Sequence, residues 1–144
     1  MNRFLISVLA LSLSMATAFA GLPSPRQVIL ERKSSSGSRR VFEDLTVSND
    51  GTVVRTLNGV TQTLKSLSPE EIAGIEKLIA AIQEGELNRT APGQFYNPGG
   101  FVREYLYIAA DGHSFEFARN VSGIDFGLPN SQGQDLVQLL DQLK

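Results

Sequence analysis

The sequence of 144 residues contains no cysteine, no tryptophan and a single histidine, His113. Without cysteine, the protein can form no disulfide bond, offers no thiol nucleophile and cannot be tethered through a lipid-modified cysteine. One imidazole without thiolates falls short of the ligand set of an ordinary zinc, copper or haem site. The sequence therefore predicts neither a metal site nor a cofactor.

The motifs of common enzyme classes are missing as well. There is no H-E-x-x-H zinc motif, no EF-hand loop, no glycine pattern that binds phosphates or dinucleotides, and no G-x-S-x-G nucleophile elbow. Asp111 and Ser114 stand close to His113, but all three fall on a predicted hairpin turn, where such residues are common for conformational reasons. The sequence therefore predicts no catalytic residue and favours a protein that is not an enzyme. A small metal-independent hydrolase remains as an alternative.

Residues 1–20 have the three parts of a removable secretory signal peptide. A basic start at Arg3 is followed by an apolar run from Phe4, and Ala18-Phe19-Ala20 is an A-x-A cleavage signal. The strongly apolar part is shorter than the roughly 20 residues that a transmembrane helix requires. We therefore expect residues 21–144 to be exported as a single globular domain with no membrane segment, opening with an extended tail over 21–26.

The destination and the partner class follow from composition. Exported eukaryotic domains of this size usually depend on disulfide bonds, so the cysteine-free sequence favours a bacterial periplasm or the extracellular medium. Cleavage would remove Arg3 and leave 12 basic against 15 acidic side chains, a formal charge of about −3. Such a charge gives solubility but no general attraction to nucleic acid or anionic membranes. The expected partner is therefore a protein or a peptide, and not nucleic acid.

The sequence pattern of residues 21–144 predicts an α+β fold. An antiparallel sheet is built from two meanders or hairpins, each followed by a helix that packs on the sheet. In the first meander, Asp50-Gly51 and Asn58-Gly59 favour the positive backbone angles of two-residue hairpin turns. The small polar residues from Ser34 to Ser38 predict a flexible loop. Strands are predicted over 27–31, 39–48, 52–57 and 60–66.

Two helices are predicted from their caps and from the spacing of apolar residues. Ser68-Pro69-Glu70-Glu71 forms a capping box with proline at the first helical position, and Gly85 is well placed to end this helix. The second helix begins after Asn130 or Ser131. Apolar side chains recur at helical spacing in both, at Ile72, Ile75, Leu78, Ile79 and Ile82 and at Leu136, Val137, Leu139, Leu140 and Leu143.

A second hairpin is predicted about Asp111-Gly112, between the two helices. With a two-residue turn, Leu106 and Ile108 face the core. Tyr105 and Tyr107 then lie on the opposite face of the sheet, where they either meet a partner or are covered by another segment of the chain.

A long loop over 88–100 is the first candidate recognition surface. It contains two prolines and three glycines, carries Phe95 and Tyr96 and leads into Phe101. Aromatic side chains on such a loop supply a large contact area at low entropic cost, as interface anchors do. The alternative is that Phe95 and Phe101 fill a small satellite core beneath the loop.

The second candidate surface runs from Ser34 to Arg40. Serine hydroxyls and backbone amides next to two guanidinium groups can hold a carboxylate or a sulfate. The alternative is a mobile hairpin loop that its charge keeps soluble. The predicted binding residues of the two surfaces are Phe95, Tyr96, Phe101, Arg39 and Arg40.

The predicted function is that of a small exported, non-catalytic binding module of the bacterial cell envelope or medium that recognises a protein or peptide. An alternative is a structural subunit of an envelope assembly, which would leave the face with Tyr105 and Tyr107 exposed. The plan of a strand meander with an N-D-G-T-V turn, followed by an L-S-P-E-E helix, is similar in outline to small exported protease-inhibitor domains. No motif identifies a family, so no residue role is transferred from them.

Overall fold

The computed structural model describes residues 25–37, 40–91, 94 and 100–143. The predicted signal peptide and three of the predicted binding residues, Arg39, Phe95 and Tyr96, lie outside the described residues. Within these ranges, no helix has the length and apolar character that crossing a membrane requires.

The described residues form one antiparallel sheet of eight strands, in the order β4-β3-β2-β1-β6-β7-β8-β5. The strands are β1 (Val28–Ser36), β2 (Val41–Ser48), β3 (Thr52–Leu57), β4 (Val60–Ser66), β5 (Asn88–Arg89), β6 (Phe101–Ile108), β7 (Ser114–Val121) and β8 (Ile124–Gly127). Two meanders, β1 to β4 and β6 to β8, therefore lie side by side, and the pairing of β1 with β6 joins them.

The predicted α+β class and antiparallel sheet are confirmed, and the predicted arrangement of the strands is confirmed in part. Strand β8 extends the second hairpin to a meander, through a turn at Ser122 and Gly123 whose φ angles are both positive, 50° and 94°. Strand β5 adds a short edge, in which Asn88 and Arg89 pair with β8. The expected loop over 88–100 is therefore wrong at Asn88 and Arg89, and β8 was not predicted from the sequence.

Two helices follow the meanders: α1 (Pro69–Ala81) comes after β4, and α2 (Ser131–Gln142) comes after β8. The predicted capping box of α1 is present. Ser68 Oγ accepts a hydrogen bond from the Glu71 N–H at 3.2 Å, and the Glu71 carboxylate accepts one from the Ser68 N–H at 2.7 Å. The start of α1 is therefore fixed by local side chains, as the sequence indicates.

The remaining helix ends are set by local hydrogen bonds. At the start of α2, Asn130 Oδ1 accepts from the Gly133 N–H at 3.4 Å, which confirms Asn130 as the N-cap. Helix α1 stops before the predicted Gly85. Ile82 already has an extended backbone, and its N–H donates to the Ile79 carbonyl at 3.1 Å, which closes the last turn.

Both helices lie on the same face of the sheet, where they contact each other and share one hydrophobic core with it. We call this side the helix-covered face and the other side the open face. Side chains alternate between the two faces along each strand. The largest fully buried apolar side chains are Leu30, Leu45, Val47, Val53, Ile75, Phe117, Leu136 and Leu140.

The predicted orientation of Tyr105 and Tyr107 is wrong. Both are buried on the helix-covered face, 4% and 9% exposed, because Tyr107 pairs with Leu30 and Tyr105 with Arg32 of β1. Each face of β6 carries three apolar or aromatic side chains and one charged side chain, Arg103 or Glu104, so the alternation of its residues could not choose between them. The tyrosine side fits the covered face because each hydroxyl finds a carboxylate acceptor near the end of a helix.

The turns of the first meander differ in how well the sequence specifies them. The Asn58-Gly59 turn is confirmed, with φ angles of 48° and 84° and with Leu57 paired to Val60. The other connection has three residues, Asn49 to Gly51, and not the expected two, and the Gly51 N–H closes it by donating to the Ser48 carbonyl at 2.9 Å.

Strand β1 is longer than predicted. Ser34, Ser35 and Ser36 pair with β2 on one side and with β6 on the other, so the expected flexible loop is wrong for these three residues. Pairing on both sides satisfies their backbone groups and outweighs the weak strand propensity of serine. The extension also brings Arg32 onto the helix-covered face.

Candidate binding site

The two candidate surfaces meet at one end of the sheet. The Gly37 N–H, directly after β1, donates a hydrogen bond to the Gly100 carbonyl, directly before β6, at 3.1 Å. Of the predicted binding residues, Arg40 is exposed just before β2, and Phe101 is half-buried at the start of β6. Neighbouring strands thus bring together two segments that are far apart in the sequence.

An open groove of about 290 Å³ lies at this junction. Its apolar lining comes from Val41, Phe101 and Val102, and its polar lining comes from Ser34, Ser35, Ser36, Glu43 and Arg103. The predicted residue Phe101 is part of the lining, whereas Arg40 is not. The Phe101 carbonyl accepts a hydrogen bond from the Ser122 N–H at 2.9 Å, which fixes the β6 side of the groove to the turn after β7.

A network of charged groups adjoins the groove, and its centre is the buried guanidinium of Arg32. This side chain donates to Glu43 Oε1 at 2.9 Å, to Asp141 Oδ1 at 3.0 Å and to the Leu140 carbonyl at 3.2 Å. The last two contacts hold the C-terminal end of α2, where the helix dipole favours a positive charge. Arg32 therefore ties the second helix to the first meander.

The other members of this network surround Arg32. Arg55 contacts Glu43 Oε2 at 3.3 Å, and the Tyr105 hydroxyl donates to Asp141, with 3.1 Å to each carboxylate oxygen. Burial, followed by the charge of Asp141, raises the pKa of Tyr105 to about 12. The phenol therefore remains a neutral donor at physiological pH.

Arg103 joins the network to the groove. Its Nε donates to Ser34 Oγ at 3.2 Å, and its Nη1 lies 3.9 Å from Asp141 Oδ1. Ser34 and the Tyr105 hydroxyl hold the Arg103 side chain, which is 38% exposed. Arg32, Glu43 and Arg103 are not among the binding residues predicted from the sequence. If β1 is extended beyond residue 31, Leu30, Arg32 and Ser34 lie on one face of the strand, and this pattern could have indicated Arg32.

His113 lies at the opposite end of β6, near Glu84 and Tyr107. The Tyr107 hydroxyl donates to the Glu84 carboxylate, and His113 Nε2 is 3.6 Å from the same carboxylate. Asp111 Oδ1 accepts a hydrogen bond from the backbone N–H of His113 at 2.9 Å, so it supports the turn and does not orient the imidazole. These contacts are those of a turn histidine, and they do not assemble a nucleophile with a general base.

A larger depression, about 680 Å³, lies beside β5 and the start of α2. Its one charged lining residue is Arg89, which already donates to the Gln94 carbonyl. In the part of the chain that the structure describes, no three His, Cys, Asp or Glu side chains are grouped so as to hold a metal ion. Compared with this depression, the groove at the start of β6 combines apolar side chains with charged groups of both signs, Glu43 and Arg103.

No protein-family model matches the chain, and neither curated proteins nor solved structures give a match. Function is therefore inferred from the geometry of the site.

Proposed function

We propose that residues 21–144 form an exported, non-catalytic binding module of the bacterial cell envelope or medium that recognises a protein or peptide partner. The partner is bound at the end of the sheet where the connection after β1 meets the start of β6. Binding of this kind includes inhibitor-like recognition of another protein.

The observation that carries the proposal is the hydrogen bond from Gly37 to Gly100. It unites the polar and the aromatic segments beside a groove that has apolar and charged lining. Recognition sites combine apolar contact area with a few polar groups that set orientation, and this groove has both. A rigid sheet supports the groove, since β1 pairs on both sides.

The alternatives have less support. A structural subunit would expose Tyr105 and Tyr107 on one face of the sheet, but both side chains are buried. A hydrolase was argued from His113 and neighbouring groups, and Asp111 is bonded to the backbone of the turn. Neither alternative gains an observation in its favour from the described residues.

Export can be tested by intact-mass analysis of protein recovered from the periplasm or medium of the natural producer. We expect a chain that begins at Gly21, because small residues at Ala18 and Ala20 form the cleavage signal. The matched control is an Ala18→Leu/Ala20→Leu variant, which should keep its full length. A wild-type mass that still includes residues 1–20 would contradict the proposal.

Partner binding can be tested with immobilised residues 21–144 and extracts of the same periplasm or medium. We expect capture of a partner that mass spectrometry identifies and that rebinds after purification. Phe101→Ala should weaken this binding at least about tenfold, because truncating an aromatic anchor at the centre of an interface costs about 2 kcal/mol or more.

Val60→Ala is the matched control for Phe101→Ala. Val60 is 72% exposed and lies at the far edge of the sheet, on the edge strand β4, so its truncation should leave capture unchanged. Equal affinity of the purified partner for wild-type protein and for a folded Phe101→Ala variant would remove the groove as the binding site.

A further inference from the structure

We propose that the groove binds a carboxylate of a peptide through Arg103, while an adjacent apolar side chain of the same peptide packs on Val41 and Phe101. This inference rests on the binding function proposed above and names the chemistry of the partner. A count of charges and hydrogen-bonding groups, together with the apolar lining, supports it.

The network beside the groove carries an excess of positive charge. Three guanidinium groups, those of Arg32, Arg55 and Arg103, share two carboxylates, Glu43 and Asp141. Among the described residues, one positive charge of this network therefore has no matching carboxylate. The next carboxylate along the same face, Asp125, is separated from Arg103 by Asn120 and accepts hydrogen bonds from Asn120 and Gln94.

Two buried guanidinium N–H groups of this network also lack an acceptor among the described residues. The Nε groups of Arg32 and Arg55 are buried and have no hydrogen-bond partner among the described residues. Glu43 accepts from the Nη groups of Arg32 and Arg55, and the two oxygens of Asp141 share the single Tyr105 hydroxyl proton, so neither carboxylate reaches these Nε groups. A region with surplus donors and surplus positive charge favours an anionic acceptor.

Arg103 is the cation in position to receive it. Arg32 is buried and engaged in three hydrogen bonds, whereas Arg103 is 38% exposed, lines the groove and contacts Asp141 only at 3.9 Å. The hydrogen bond to Ser34 orients the guanidinium before any ligand arrives. A planar guanidinium held in this way can bind a carboxylate with two parallel hydrogen bonds.

The apolar lining distinguishes a peptide from a free anion. Val41 on β2 and Phe101 on β6 lie on either side of Ser36 of β1 and line the groove together with Val102 and Arg103. An inorganic anion would gain nothing from the apolar side chains, whereas a peptide with an acidic group beside an apolar residue would contact both these and Arg103. The carboxylate comes either from an Asp or Glu side chain or from the C-terminus of the peptide.

The test is selection of random heptapeptides displayed on phage against residues 21–144, compared with the Arg103→Gln variant. Wild-type protein should enrich peptides in which an acidic residue, or a free C-terminus, adjoins an apolar residue. Arg103→Gln should lose this acidic preference. The matched control is Arg119→Gln, because Arg119 is 41% exposed and lies on the neighbouring strand with its side chain towards the open face.

Synthetic versions of the most enriched peptide give the quantitative result by fluorescence anisotropy. The acidic peptide should bind wild-type protein at least about tenfold more tightly than its amide analogue, as expected for a hydrogen bond to a charged group. The two peptides should bind Arg103→Gln equally. Separate replacement of the side-chain carboxylate and of the C-terminal carboxylate by amides identifies which one is recognised.

The outcomes separate the two proposals. Enriched peptides without an acidic preference would overturn the carboxylate assignment and leave the binding module intact. If no peptide is enriched and Phe101→Ala does not weaken partner capture, both the groove as the binding site and the carboxylate assignment are overturned. If Arg103→Gln does not fold, Arg103→Lys keeps the charge and should reduce the preference for the acidic peptide without abolishing it, since lysine lacks the planar fork.

Discussion

Replacing Gly51 with alanine is expected to lower the free energy of unfolding by about 3 kcal/mol, from the cost of a positive φ angle together with that of forcing atoms into a packed site. Gly51 has a φ of 88°, and a Cβ atom there would lie 2.4 Å from the Leu67 carbonyl oxygen. Leu67 cannot easily move away, because its N–H donates a 2.8 Å hydrogen bond to the Gly51 carbonyl. Because Leu67 directly precedes the N-cap of α1, the collision would displace the start of that helix.

Gly59→Ala separates the steric effect from the backbone effect. Gly59 has nearly the same φ, 84°, but a Cβ atom there would meet nothing within 4 Å. The control should therefore cost about 1 kcal/mol, the penalty of the left-handed conformation alone. Urea unfolding of residues 21–144, followed by circular dichroism, measures both changes. Equal losses for the two variants would show that the clash between the new Cβ atom and the Leu67 carbonyl adds nothing to the loss of stability.

Arg32→Met is expected to reduce the free energy of unfolding by about 3 kcal/mol, the typical result of removing one partner of a buried ion pair. Methionine fills a similar volume, so the lost stability comes mainly from the carboxylates and the carbonyl that no longer receive a hydrogen bond from Arg32. Glu43 would keep only Arg55, and the C-terminal end of α2 would lose its link to β1. The same urea titration measures this change.

Arg26→Met is the control for the loss of an exposed ion pair. Arg26 and Asp50 are 3.5 Å apart, with side chains 53% and 45% exposed, so the change should stay within about 0.5 kcal/mol. A triple variant, Arg32→Met with Glu43→Gln and Asp141→Asn, should recover at least about 1 kcal/mol, because it no longer leaves carboxylates without their partner. A triple variant no more stable than Arg32→Met would mean that charge is not the cause of the loss.

The parts of the fold that follow from the sequence are those with short-range signals. Each of three such features depends on residues at most three positions apart: the capping box at Ser68 and Glu71, the N-cap at Asn130 and the Asn58-Gly59 turn. Their hydrogen bonds form without help from distant segments, so residue type is enough to predict them. The Ser122-Gly123 turn carried a signal of the same kind, and reading it would have indicated β8.

The errors lie where distant strands decide the outcome. Serines 34 to 36 have weak strand propensity, but β2 and β6 pair with them on both sides. The orientation of Tyr105 and Tyr107 depended on which face the helices cover, and that face is selected by the pairing of β6 with β1. Local composition contains no information about either contact.

The candidate site shows the same division. Residue types alone selected the segment ending at Arg40 and the segment ending at Phe101, because hydroxyls, guanidinium groups and aromatic rings are suited to recognition whatever the fold. The tertiary structure decided that these segments adjoin, that Arg103 faces the groove, and that Arg32 is buried between the sheet and α2. The physical reason is that a strand pairing or an ion pair between distant residues depends on packing of the whole chain, whereas a cap or a tight turn is stabilised by its immediate neighbours.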